Sequence, residues 1–255
     1  MRLMIVRHGD PDYSIDSLTP KGWKEAELLA DRLCKLDIAK FYVSPLGRAK
    51  DTASFTLKRL GREAEEMTWM REFDAWIKRP DVGDRAILWD WLPEDWTKVS
   101  SFYDKDAWSD HTLLKEGTTE HGDIRAEYDW VIGEFDKLLE RHGYRREGQI
   151  YRAENANDDT IVLFCHFGLE CVLLSHLLGI SPMVLWHGLC AAPTSVTTLY
   201  TEERRPGIAS FRMTAFGDTS HLYVADEPPA FAARFCECYD LSLIHISEPT
   251  RLRRI

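Results

Sequence analysis

Histidine and arginine residues stand at the ends of three short apolar runs of this chain. The first run ends in Arg7-His8-Gly9, Arg48 lies just beyond the second run, and His166 follows the third. A stretch with helical character directly follows the second and third runs, and after the first run such a stretch begins at residue 20, so each run predicts a strand followed by a helix. This alternation predicts an α/β fold whose histidines and arginines lie at strand ends.

The complete pattern predicts a three-layer α/β/α sandwich with a mostly parallel central sheet. The predicted strands are 2–6, 40–43, 66–69, 160–165, 195–200 and 209–214, and the predicted helices are 20–35, 47–60, 123–142 and 167–178. The charged segment 202–207 ends in Pro-Gly, which favours a hairpin turn between the last two strands rather than a linker. We therefore expect one catalytic domain over 1–240.

The strand and helix alternation breaks between residues 73 and 146, which predicts a helical cap over the strand ends. Six of the nine tryptophans fall in this segment, so an aromatic cluster is expected there. Clustered aromatic rings usually pack together, and we expect these to form a small core of the cap. The alternative is that one or two of the rings line a pocket for a leaving group.

The predicted strand ends bring two arginines and two histidines toward one anion site. Ligands of open α/β sheets bind outside the carboxyl ends of the strands, where helix N-termini favour anions. A neutral imidazole at His8 can attack phosphorus, while the guanidinium groups of Arg7 and Arg48 hold the phosphate oxygens. These charges and His166 disfavour protonation of His8.

Together with further motifs, these residues resemble the histidine phosphatase superfamily, also called phosphoglycerate-mutase-like. The resemblance covers residues 1–222 and includes Leu18–Gly22, Ser44–Ala49 with Thr52-Ala53, Met70–Glu72, and Gly217–Leu222. It implies a metal-independent phosphomonoester hydrolase that forms a phosphohistidine at His8. Glu72 stands at the position of the family's general acid, and Asp74 is an alternative acid two residues further on.

The resemblance also implies the other site residues. We expect phosphate to be bound by Arg7, Arg48 and His166. We also expect His166 to be a catalytic residue. Ser14 stands where many members carry Asn, and Phe167 replaces a small residue beside the second histidine; both are expected at the phosphate.

Three functions stay open on the sequence. A mutase retains a doubly phosphorylated intermediate, which needs more anchoring groups than hydrolysis, and only nine residues separate His8 from Leu18. This short loop favours a phosphatase acting on a small soluble phosphate ester. The alternatives are a phosphoglycerate-mutase-like isomerase and a catalytically weak module that binds phosphate or a phosphoprotein.

Composition and sequence patterns limit the classes of partner that the protein can bind and indicate its cellular location. The net charge of -10 argues against nucleic acid or an acidic membrane surface, and the apolar runs are shorter than a membrane span. A strand begins at once, leaving no room for a signal peptide, and the cysteines lack a Cys-x-x-Cys pair. We expect a cytoplasmic protein that acts on a small phosphorylated metabolite without cofactor or metal, its oligomeric state open.

The sequence indicates that the C-terminal residues 241–255 are not part of the natural protein. Residues 241–251 resemble the translation of a transposase-end adaptor used in sequencing libraries. We expect this tail to be non-native, with the native C-terminus missing after about Asp240.

Overall fold

A computed structural model describes residues 1–83, 85–89 and 91–230. Its strands are β1 (Arg2–Arg7), β2 (Pro11–Asp12), β3 (Ser17–Leu18), β4 (Lys40–Val43), β5 (Glu65–Glu66), β6 (Trp76–Lys78), β7 (Arg85–Ile87), β8 (Tyr144–Glu147), β9 (Ile150–Ala153), β10 (Thr160–Cys165), β11 (Val196–Arg205) and β12 (Ile208–Asp218). Its α-helices are α1 (Pro20–Leu33), α2 (Gly47–Leu60), α3 (Pro93–Trp96), α4 (Thr112–Lys115), α5 (Ile124–Arg141), α6 (Phe167–Leu178), α7 (Pro182–Gly188) and α8 (Ser220–Val224). The predicted tail and the last ten residues of the predicted domain lie outside the described residues.

The large central sheet has the strand order β5-β4-β10-β1-β11-β12-β9-β8. The four strands from β5 to β1 are parallel, and every pairing from β1 through β11 to β8 is antiparallel. The predicted α/β class with a large sheet that is parallel at its core is therefore confirmed. The hairpin between β11 and β12 is also confirmed, with Arg205 paired to Ile208.

Strand β1 explains why helices cover both faces of the sheet. Its side chains alternate, so that Leu3 and Ile5 enter one buried cluster while Met4 and Val6 enter another. The first cluster contains apolar side chains of α5 and α6, and the second contains those of α1 and α2. A strand buried on both faces requires this three-layer arrangement.

The predicted cap segment divides into two parts. Among the described residues between 76 and 115, β6 pairs with β7 and the short helices α3 and α4 follow. The later part instead joins the main layers, because α5 packs on α6 and β8 is an edge strand of the sheet. Trp108 lies edge-on to Trp186 of α7, and both Trp108 and Trp91 belong to the main hydrophobic cluster rather than to a separate small core.

Two further observations concern the length of the helices and the state of the cysteines in the part of the chain that the structure describes. None of the described helices combines the length and the apolar character that crossing a membrane requires. Among the cysteines that the structure describes, Cys34, Cys165 and Cys171 are free thiols.

Candidate active site

Parallel pairing places the three predicted strand ends at one edge of the sheet. Arg7 of β1 is in register with Cys165 of β10, and the His8 amide donates to the Cys165 carbonyl at 3.0 Å. His166 follows directly and is the N-cap residue of α6. The ring centroids of His8 and His166 are 5.1 Å apart, so the two predicted histidines meet.

His8 is held as a neutral imidazole with a defined tautomer. Its side chain is buried, and Nδ1 lies 2.7 Å from the Gly9 carbonyl oxygen. A carbonyl only accepts, so Nδ1 carries the proton and Nε2 keeps its lone pair. Burial, followed by the charges of Arg7 and Arg48, holds the pKa of His8 well below its usual range. The imidazole therefore keeps the lone pair that a nucleophile needs at neutral pH.

The two predicted arginines are anchored differently. Arg7 is buried and donates from Nη1 to the Ala191 carbonyl. Arg48 donates from Nη1 to Asp16 Oδ1 at 2.6 Å, and Asp16 Oδ2 also accepts from the Gly47 amide. In both arginines the buried Nε has no hydrogen-bond partner among the residues the structure describes. Each guanidinium thus keeps donor capacity for an anion.

His166 is fully buried and is oriented by Ser44, which follows β4. Nε2 of His166 and Oγ of Ser44 are 2.7 Å apart, and the same Oγ accepts from the Leu46 amide at 3.3 Å. In the tautomer in which the Ser44 hydroxyl donates to Nε2, the imidazole proton resides on Nδ1. Nδ1 is buried and has no partner within the described chain. Burial and the nearby positive groups lower the pKa of His166, so it is a neutral donor.

Glu72 is a partly buried carboxyl group beside the cluster. Its Oε1 accepts from the Phe73 amide at 2.9 Å and from the Leu169 amide of α6 at 3.0 Å. Burial raises the pKa of Glu72, against the opposing charges of Arg48 and Arg7. Asp74, the alternative acid, is exposed and accepts from its neighbour Trp76. The structure therefore places Glu72 with the cluster and Asp74 away from it.

The other predicted residues differ in position. Ser14 is exposed, and its hydroxyl donates to Asp12 at 2.6 Å, so no contact joins it to the cluster. Phe167 begins α6, with its ring centroid 6.0 Å from Cζ of Arg7. The structure thus brings Phe167 to the site and leaves Ser14 on the outside of the loop.

Glu170 is a buried acid that sequence reasoning missed. It lies in the first turn of α6 and is 1% exposed, with a hydrogen bond from Thr197. Burial raises its pKa to about 7, although Arg7 opposes this shift. The one signal in the sequence is an acid within the otherwise apolar stretch 169–174.

The assembled groups suit a phosphate monoester. The two guanidinium groups and Nδ1–H of His166 offer donors to phosphate oxygens, and Nε2 of His8 offers a lone pair. A protonated Glu72 can give a proton to a leaving oxygen.

Comparison with known proteins agrees with this geometry. Residues 3–115 match the family described as histidine phosphatase superfamily (branch 1). A 2,3-bisphosphoglycerate-dependent phosphoglycerate mutase from Thermoplasma acidophilum is 38% identical over 60 residues, which cover 20% of this chain and 30% of that protein. The matched stretch is therefore less than a third of that relative's length.

Two solved structures share the fold over most of their length. A mutant phosphoserine phosphatase from Entamoeba histolytica, in complex with phosphoserine, is 19% identical with a TM-score of 0.55, covering 87% of this chain and 98% of its own. A mycobacterial glucosyl-3-phosphoglycerate phosphatase complexed with VO3 is 21% identical with a TM-score of 0.55, covering 85% and 98%. This chain is therefore similar to the histidine phosphatase superfamily over residues 3–115, which are less than half of its length, and its fold is similar to that of the two solved phosphatases.

Proposed function

We propose that this protein is a metal-independent phosphomonoester hydrolase that acts on a small phosphorylated metabolite through a phosphohistidine at His8. The observation that carries the proposal is a buried, neutral His8 whose Nδ1 donates to Gly9, while Nε2 has no hydrogen bond to any residue that the structure describes. Two arginines beside it supply the charge that holds a phosphate dianion. We also propose a cytoplasmic location, which the free thiols of Cys34, Cys165 and Cys171 support.

In the first step, Nε2 of His8 bonds to phosphorus as the ester P–O bond breaks. Glu72 gives its proton to the departing oxygen, which leaves as an alcohol. Arg7, Arg48 and Nδ1–H of His166 bind the other phosphate oxygens as their charge redistributes. The Gly9 carbonyl stabilises the positive charge that the His8 ring gains, because its bond to Nδ1–H strengthens.

In the second step, water attacks the phosphorus of the phosphohistidine. The Glu72 carboxylate takes the proton of the water, and the bond between phosphorus and Nε2 breaks. Inorganic phosphate leaves, and His8 and Glu72 return to their starting states. One carboxyl group thus serves as the acid of the first step and the base of the second.

A mutase is the second candidate, because the curated relative from Thermoplasma acidophilum is a phosphoglycerate mutase. The named structural neighbours are phosphatases of phosphoserine and of glucosyl-3-phosphoglycerate. The short segment between His8 and Leu18 favours hydrolysis, since it offers few groups to anchor a second phosphate.

The test is release of inorganic phosphate from a panel of phosphate esters, with and without a chelator. We expect release that the chelator leaves unchanged and that His8→Ala abolishes. Phosphorus NMR of the products separates the candidates, since a mutase yields an isomeric ester instead of free phosphate. Tight phosphate binding without turnover would favour the binding module and contradict the proposal.

A further inference from the structure

A tryptophan of the cap lies beside the acid of the site. A Cβ built at Gly168 of α6 would lie 2.7 Å from Glu72 Oε1, 2.9 Å from Trp89 Cη2 and 3.0 Å from Trp89 Cζ3. The outer edge of the Trp89 ring and the Glu72 carboxyl group therefore approach one point. Because Glu72 delivers its proton to the departing oxygen, the leaving group of the substrate must pass next to Trp89.

The Trp89 ring packs against a buried ring on one side and is partly exposed to solvent. It packs against the buried ring of Trp186, with centroids 6.1 Å apart and planes inclined by 36°. Trp186 in turn donates from Nε1 to the Gly168 carbonyl at 2.9 Å, which ties the pair to the start of α6. Trp89 itself is only partly buried, so it offers a preorganised apolar surface beside the acid.

Two more rings lie around the arginines of the site. The Phe167 ring centroid is 6.0 Å from Cζ of Arg7, and the Tyr13 ring centroid is 5.4 Å from Cζ of Arg48. The surroundings of the anion site are thus rich in flat aromatic surface, which favours an apolar planar group on the substrate.

The charge of the surrounding segment disfavours an anionic leaving group. Residues 73–146 contain more acidic than basic side chains. Arginines in and beside this segment are already paired with carboxylates: Arg71 with Glu120, Arg79 with Asp81, and Arg125 with Asp129. A carboxylate on the leaving group would gain little attraction from these paired cations.

We propose that Trp89 determines substrate specificity by packing against the leaving group, and that the substrates are monoesters with an uncharged aromatic leaving group, such as aryl or arylmethyl phosphates. This inference rests on the proposed hydrolysis at His8. It distinguishes this chain from enzymes whose leaving groups carry a carboxylate.

The test compares benzyl phosphate with propyl phosphate, two esters of unactivated alcohols, and adds 3-phosphoglycerate. We expect kcat/KM for benzyl phosphate to exceed that for each of the others by roughly tenfold or more. Trp89→Ala should remove most of this preference, and Trp89→Phe should retain much of it. Trp130→Ala is the matched control, because Trp130 is a partly buried cap tryptophan that stacks on His121 instead.

Measurements of ligand binding test the role of Trp89 independently of the proposed hydrolysis. Benzylphosphonate and propylphosphonate carry the same groups without a cleavable ester bond, so calorimetry reports their affinities without turnover. We expect the wild-type protein to bind benzylphosphonate about tenfold more tightly, and Trp89→Ala to reduce this ratio. Equal affinities, or faster hydrolysis of 3-phosphoglycerate, would overturn the role of Trp89 while leaving the phosphatase intact. Selective benzylphosphonate binding without any phosphate release would instead overturn the proposed hydrolysis.

Discussion

Glu170 makes the stability of the protein depend on pH in a way that one substitution can remove. Burial raises the pKa of this carboxyl group from 4.5 to about 7. In the unfolded chain the group ionises at its ordinary pKa, so between these values the folded state binds more protons than the unfolded state. The free energy of unfolding therefore falls as the pH rises from 4.5 toward 7, and the loss is complete above the folded pKa.

The expected size follows from the difference between the two pKa values. A shift of one pKa unit corresponds to about 1.4 kcal/mol, so Glu170 costs the folded state about 3 kcal/mol in alkaline solution. Between about pH 5.5 and about pH 8.5 its contribution falls by about 2 kcal/mol. Glu170→Gln keeps the shape and an oxygen that accepts from Thr197, but it cannot ionise.

The assay is urea unfolding of both proteins at these two pH values. We expect the wild type to lose about 2 kcal/mol more than Glu170→Gln between them. Glu25, whose pKa is also raised to about 7 by burial, contributes equally to both proteins and cancels. Glu65→Gln is the control, because the pKa of Glu65 is held at about 2, below the tested range. An identical pH dependence in the wild type and Glu170→Gln would refute the reasoning.

Three further predictions concern the site and the tail. Arg7→Lys and Arg48→Lys should each lower kcat/KM roughly a hundredfold, because an ammonium group cannot reproduce the planar fork of donors; wild-type rates in both would show structural roles. Glu72→Gln should lower kcat/KM, which reports phosphoryl transfer to His8, far more on propyl phosphate than on an activated aryl phosphate, whose leaving group needs no proton; equal losses in kcat/KM would indicate an electrostatic role. Removal of residues 241–255 should leave both activity and the thermal midpoint unchanged, and a loss of either would argue that the tail is native.

Local sequence predicted the elements of the parallel core well. Strand 40–43 and helices 47–60 and 167–178 have the bounds that the structure gives, because each apolar pattern is bounded by polar or turn residues. Edge strands β8 and β9 were not predicted, since charged residues interrupt their apolar positions and the sheet covers few of their side chains.

The predicted strand 66–69 is wrong for a different reason. Its β-branched and aromatic residues are typical of a strand, yet β5 ends at Glu66 and Thr68–Met70 forms a 3-10 turn. This turn directs Trp69 into the main cluster, where its ring lies 6.0 Å from that of Phe135. Tertiary burial of a large ring has overridden local preference here.

The sequence predicted which candidate-site residues lie at strand ends. It did not predict which residues form hydrogen bonds with them. His8 and His166 follow apolar runs, and parallel strands must end at the same edge. Asp16 meets Arg48 across 32 residues, and Ser44 meets His166 across 122. Such pairings depend on how loops fold over the sheet edge, which the local pattern does not encode.

In the proposed mechanism, burial sets the protonation states that His8 and Glu72 need for their steps. It disfavours the charged form of every group, so it lowers the pKa of His8 and raises that of Glu72. The charges of Arg7 and Arg48 assist the first shift and oppose the second. When a phosphate dianion binds, it neutralises these charges, and the opposition to a protonated Glu72 weakens. In this mechanism, substrate binding therefore keeps Glu72 protonated until the leaving oxygen takes its proton. Nε2 of His8 stays unprotonated and is available to bond to phosphorus.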